Sequence, residues 1–98
     1  MAARVVYSGE ALADLERIIE FLLESSPAAA ADALSQIRSA VGVLERHPRI
    51  GRRVDAWRRE LVIEHGASGY LALYRHDARP GVVRVLRIRH QREAGYRD

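Results

Sequence analysis

The apolar periodicity of the chain changes once, from a repeat of about 3.6 residues to a repeat of about 2, and the change falls near residues 50–60. Before it, Leu12, Leu15, Ile19 and Leu22, joined by Ile18 and Phe21, recur at helical spacing. Ala30, Leu34, Ile37, Val41 and Leu44 then repeat the pattern. Ser8 is placed to cap the first helix, with Glu10 in the first turn where the helix dipole favours an anion. Ser25-Ser26-Pro27 separates the two helices, because Pro27 suits a first turn with Ser26 as its cap. After the switch, Leu61 and Ile63 alternate with Val62 and Glu64, Tyr70 to Arg75 reads as a strand, and Val82 to His90 as another, with Leu86 and Ile88 on one face. Turns are expected at Gly66 to Gly69 and at Asp77 to Gly81, and the β-branched run Arg4 to Tyr7 opens the chain as a short strand. The expected element order is β-α-α-β-β-β. Apolar helix stripes need a sheet face to cover, so the architecture expected is a two-layer α+β fold with an αα-hairpin packed on an antiparallel sheet. Leu12, Leu15, Ile19, Leu22, Leu34, Ile37, Val41, Leu44, Leu61, Ile63, Leu71, Leu73, Leu86 and Ile88 are the expected core.

Ninety-eight residues suit a single domain spanning 1–98. The absence of Cys removes disulfides, thiolate metal sites and cysteine nucleophiles. His47, His65, His76 and His90 stand singly on separate elements, so no metal site is expected. Gly66 and Gly69 lie between two strands, where no phosphate-cradling loop precedes a helix, and no cofactor is expected. No apolar run approaches the roughly 20 residues that span a bilayer, and the N-terminus lacks the apolar core of a secretory signal, so a cytoplasmic protein without membrane contact is expected.

Charge divides the chain. Residues 1–45 hold three basic residues against seven acids, a net of −4, whereas residues 46–98 hold thirteen against six, a net of +7. Every basic residue is Arg, which suits planar, bidentate recognition of phosphate or carboxylate. Arg52, Arg53, Arg58 and Arg59 gather in the connector, and Arg75, Arg87, Arg89, His90 and Arg92 lie along the last two strands and their exit. These are the candidate residues for binding an anionic target or partner. The stretch from Arg89 to Tyr96 also combines an imidazole, two guanidinium groups and a phenol, a set able in principle to deprotonate a ribose hydroxyl and stabilise a pentavalent phosphate. The bland alternative is a strand end that Tyr96 packs against and His90 caps.

The opening strand with Ser8 to Leu15, the run Leu44-Glu45-Arg46-His47-Pro48-Arg49-Ile50-Gly51-Arg52, the start of the meander at Arg59-Glu60-Leu61, Tyr70 and Tyr74, and Val85 to Arg92 together resemble the RelE/ParE family of toxins from bacterial type II toxin–antitoxin modules. The resemblance covers nearly the whole chain. It implies a growth-inhibiting toxin, of a kind tied to plasmid stabilisation, that forms a hetero-oligomer with a cognate antitoxin. The long αα-hairpin and the Gly51-Arg52 connector resemble the ParE branch, which implies a non-catalytic inhibitor of DNA gyrase. The RelE branch is the alternative: a ribosome-dependent mRNA endoribonuclease, for which His90, Arg92 and Tyr96 match the nuclease set by position. The complete absence of Lys stands against that alternative.

Overall fold

The computed structural model describes residues 2–66 and 68–97. Its elements are β1 (Arg4–Tyr7), α1 (Gly9–Leu23), α2 (Pro27–Gly42) with a 3₁₀ turn at Val43–Glu45, β2 (Arg52–Arg53), β3 (Arg59–His65), β4 (Ser68–Asp77) and β5 (Val82–His90). Both helices start where the side-chain chemistry places them. Ser8 Oγ accepts from the Ala11 N–H at 3.0 Å and Ser26 Oγ accepts from the Ala29 N–H at 3.2 Å, with Pro27 in the first turn. The turn expected at Gly66 to Gly69 contains Ala67, which lies outside the described residues.

The five strands form one sheet in the order β1-β5-β4-β3-β2. β3, β4 and β5 are the expected antiparallel meander, and β1 joins β5 in parallel, so the whole sheet is mixed. β2 was not expected: two arginines carry no alternation, and only their pairing with Arg59 and Glu60 makes them a strand. The hairpin α1–α2 covers one face, burying Ala11, Leu15, Ile18, Ile37 and Val41 against Ile63, Tyr70, Ala72, Tyr74, Val83, Val85 and Ile88.

Two expectations about the core are corrected. Leu12 is 54% exposed, because the buried stripe of α1 runs through Ala11, Asp14, Leu15 and Ile18. On β5, Val85 is fully buried and Leu86 only partly, because the register slips by one residue there: Tyr74 faces Val85 but Leu73 faces Arg87, leaving Leu86 as the extra residue of a bulge. The bulge resets the alternation, so Val85 and Ile88 both point into the core. Leu71 and Leu73 are buried as expected, but they alternate with Tyr70, Ala72 and Tyr74 and so belong to the face away from the helices.

Candidate functional site

Of the residues to which the sequence directs attention, Arg52, Arg75, Arg87 and Arg89 lie on that second face, and their positions follow from strand register. Glu60, Leu73 and Arg87 are neighbours across β3, β4 and β5, and Leu71 pairs with Arg89. The chain leaving β5 returns over this surface. Tyr96 donates its hydroxyl to Glu60 Oε2 at 2.7 Å, and the guanidinium groups of Arg87 and Arg89 lie 5.7 and 5.2 Å from its ring centre. Arg89 also bonds the Glu93 carbonyl at 2.6 Å, Arg87 bonds the Arg97 carbonyl, and Glu93 accepts from the His90 N–H at 2.7 Å. The tail is thereby fastened at several points.

Glu60 is the hub of this network. It is 6% exposed and receives Arg52 Nε and Nη2 on Oε1, at 3.2 and 2.5 Å, while Tyr96 occupies Oε2. Burial opposes its charge, but the hydrogen bonds from Arg52 and Tyr96, with the nearby Arg89 charge, hold the carboxyl below its ordinary range. The same burial, reinforced by the Glu60 carboxylate, pushes the Tyr96 phenol far above its ordinary value. Tyr96 therefore stays a neutral donor at physiological pH.

A second buried acid organises the edge of β5. β1 pairs only as far as Val85, and beyond it the edge is completed by α1 and its cap: Ser8 Oγ donates to the Leu86 carbonyl at 2.9 Å, and Asp14 Oδ2 accepts the Ile88 N–H at 2.8 Å. Asp14 is 1% exposed and also takes Arg87 in a forked pair, 2.8 and 3.2 Å, and Arg17 at 3.0 Å. Burial opposes its ionisation, yet the bonds from Arg87, Ile88 and Arg17 prevail and lower its pKa. Its position inside the apolar stripe of α1 was the available sequence signal for this role. Glu60 gave none, since it alternates with Leu61 and Ile63 as a solvent-facing strand residue would.

The structure assigns the sequence-predicted residues to different tasks. Arg59 donates to the carbonyls of Arg49 and Gly51 at 3.1 and 2.9 Å, fixing the connector. Gly51 itself donates to the Tyr74 hydroxyl at 2.9 Å, and an added Cβ there would stand 2.7 Å from the Tyr74 ring. Arg58 is held by Asp55, whose carboxyl Arg58 and the Trp57 and Arg58 N–H groups lower to about 2. Arg75 pairs with Asp77 at 2.7 Å, and Arg53 is exposed on β2.

His90 lies on the helix side of the sheet. Its ring meets that of Tyr70 edge-on at 5.4 Å, and its Nδ1 accepts the Arg92 N–H at 3.0 Å. It lines a groove of about 590 Å³ whose apolar wall is Ile18, Phe21, Leu22 and Tyr70, and whose rim carries Arg17, Arg92 and Arg97. His90 and Tyr96 therefore lie on opposite faces of the sheet. Among the described residues no group of three His, Asp or Glu side chains is placed to hold a metal, and no helix is long and apolar enough to cross a membrane.

Residues 5–95 match the family model described as the ParE toxin of the type II toxin–antitoxin system parDE. Curated relatives from Caulobacter vibrioides include Toxin RelE3, 39% identical over 82% of this chain and 85% of the relative, and Toxin RelE2, 35% identical over 90% and 94%. Among solved structures, the chromosomal ParDE toxin–antitoxin system of P. aeruginosa matches with a TM-score of 0.74 at 22% identity, covering 91% of this chain and 96% of that one. The toxin–antitoxin complex RelBE2 of Mycobacterium tuberculosis matches with a TM-score of 0.60 at 27% identity, covering 93% and 100%.

Proposed function

The chain belongs to the RelE/ParE family of toxins from type II toxin–antitoxin systems, and we propose that within it the protein is a ParE-like, non-catalytic, cytoplasmic inhibitor of DNA gyrase. The observation that carries this reading is the separation of His90 from Tyr96. A nuclease needs an acid and a base within reach of one phosphodiester. Here the imidazole faces the helix-side groove, and the phenol is bound to Glu60 and held neutral. A binding function asks for no such convergence. The contacting surface in this reading is the strand exit at His90 and Arg92, held in place by Arg87 through Asp14 and by Arg89 through the Glu93 carbonyl.

The antitoxin follows from the same chemistry. The helix-side groove offers apolar side chains flanked by Arg17, Arg92 and Arg97, which suits an acidic, amphipathic segment. Arg52 and Arg59, expected to bind that segment, already bond Glu60 and the connector carbonyls, so Arg92→Glu with Arg97→Glu is the sharper charge reversal. The toxin–antitoxin complexes among the structural neighbours support such a partner. The names of the Caulobacter relatives favour a second reading, the ribosome-dependent mRNA endoribonuclease. Purified chain, gyrase and supercoiled plasmid test the first reading directly. It predicts accumulation of protein-linked, cleaved plasmid, and supercoiling that proceeds unchanged at a large excess of the chain overturns it.

A further inference from the structure

The open face of the sheet has a second end, remote from the tail, where the arginines are arranged differently. Arg75 on β4 and Arg84 on β5 are directly paired across the strands, an opposition of like charges that costs stability. Arg75 is partly neutralised by Asp77, but Arg84 has no hydrogen-bond or ion-pair partner among the described residues. Above them stands Trp57, 72% exposed. Its loop is built rather than loose: Asp55 Oδ1 accepts the N–H groups of Trp57 and Arg58 at 2.9 and 2.8 Å, and the Val54 N–H bonds the Arg58 carbonyl at 2.9 Å. The Arg75 guanidinium lies 5.9 Å from the indole centre. Trp57 and Leu86, the bulge residue, wall a cleft of about 430 Å³ lined also by Arg58, Arg75, Asp77 and Arg84.

We infer that this cleft binds single-stranded nucleic acid, with a base stacked on Trp57 and the adjoining phosphate on Arg84 and Arg75. The chemistry points there on three grounds. An indole held in water by a structured turn presents a flat face, and stacking on such a face needs an unpaired base. Planar guanidinium donors match phosphate oxygens. The repulsion between Arg75 and Arg84 is relieved by an anion placed between them. An acidic peptide would satisfy the arginines but would leave the indole face without a flat partner. The inference goes beyond the assignment of a target, because gyrase and ribosome both present nucleic acid; it holds or fails independently of that assignment.

Trp57 is the single Trp of the chain, so its emission reports on the cleft. The full chain is titrated with twelve-residue oligothymidylate, oligouridylate and, as an acidic polymer without bases, polyglutamate of equal charge. Quenching by one or both oligonucleotides but not by polyglutamate supports the site, and the preferred oligonucleotide identifies the strand as DNA or RNA. With fluorescein-labelled oligonucleotide and anisotropy as the readout, Trp57→Ala should weaken binding by about fivefold to a hundredfold. Arg84→Gln should reduce the slope of log affinity against log salt by about 0.7. Oligonucleotide binding unchanged in both variants overturns the inference, and so does polyglutamate quenching Trp57 as strongly, which would assign the cleft to an acidic protein surface. A chain that poisons gyrase without binding either oligonucleotide would remove this site and leave the proposed function standing, and the reverse result would do the opposite.

Discussion

The two ends of the open sheet face hold the same residue type in opposite conditions. At the tail end, Arg52, Arg87 and Arg89 are spent on the protein's own Glu60, Asp14 and backbone carbonyls. At the other end, Arg84 faces Arg75 across the strands with no acid of its own among the described residues, beside an indole exposed to solvent. An arginine with a buried carboxylate is part of the fold, and removing it exposes a cost in stability. An arginine without one is stabilised by what it binds. The net of +7 in the second half of the chain therefore overstates its binding surface, since much of that charge ties strands, connector and tail together.

This contrast is broken most severely at Asp14. Asp14→Ala strips the Ile88 N–H of its acceptor at the open edge of β5 and removes the carboxylate from the Arg87 pair. The loss of unfolding free energy should be about 3–5 kcal/mol, the range for stripping one partner from a buried pair, measured by urea denaturation. The pH dependence has a definite sign. Asp14 and Glu60 are both held below their ordinary values, so the stability they contribute is fully present above the unfolded carboxylate range, about pH 4–4.5. It is lost as the pH falls through the folded values, and Asp14→Asn should flatten that acid limb.

Core truncations separate the buried from the exposed side of the hairpin. Ile37→Ala, at a fully buried position, should cost about 2–5 kcal/mol, whereas Leu12→Ala should cost less than about 1 kcal/mol. Equal losses at both would mean that the apolar stripe of α1 is turned from where the packing places it. Tyr96→Phe should cost about 1–2 kcal/mol, since it removes one of two donors to Glu60, and should loosen the tail as read by amide exchange at Glu93. The smallest effect belongs to the other end of the face. Arg84→Gln should change stability by no more than about 0.5 kcal/mol and should slightly raise it, because a like-charge opposition is removed. A large loss there would show that Arg84 has a structural role after all.

The architecture was legible because the periodicity switch is strong and the caps are explicit: Ser8, Ser26 and Pro27 delimit the helices where the sequence places them. What escaped was set by long-range pairing. The bulge that exchanges Leu86 for Val85 in the core exists only against β4, and β2 exists only against β3. The parallel pairing of β1 with β5 likewise has no local signature. The candidate site was legible as a composition and not as an arrangement. Arg89, His90, Arg92 and Tyr96 lie within eight residues, yet strand alternation and the return of the tail send His90 and Tyr96 to opposite faces. Glu60, which receives Tyr96, is distant in sequence, and its alternation with Leu61 and Ile63 carries no sign of that contact.

The proposed function is growth inhibition by binding, with no acid–base pair assembled for RNA cleavage. The most direct test is brief induction of the chain without its antitoxin, followed by parallel mapping of chromosomal DNA breaks and of mRNA 5′ ends. The account predicts accumulating DNA breaks with mRNA ends unchanged. Codon-periodic cuts in mRNA without DNA damage would contradict it and would make His90, Arg92 and Tyr96 the residues of a ribosome-dependent nuclease.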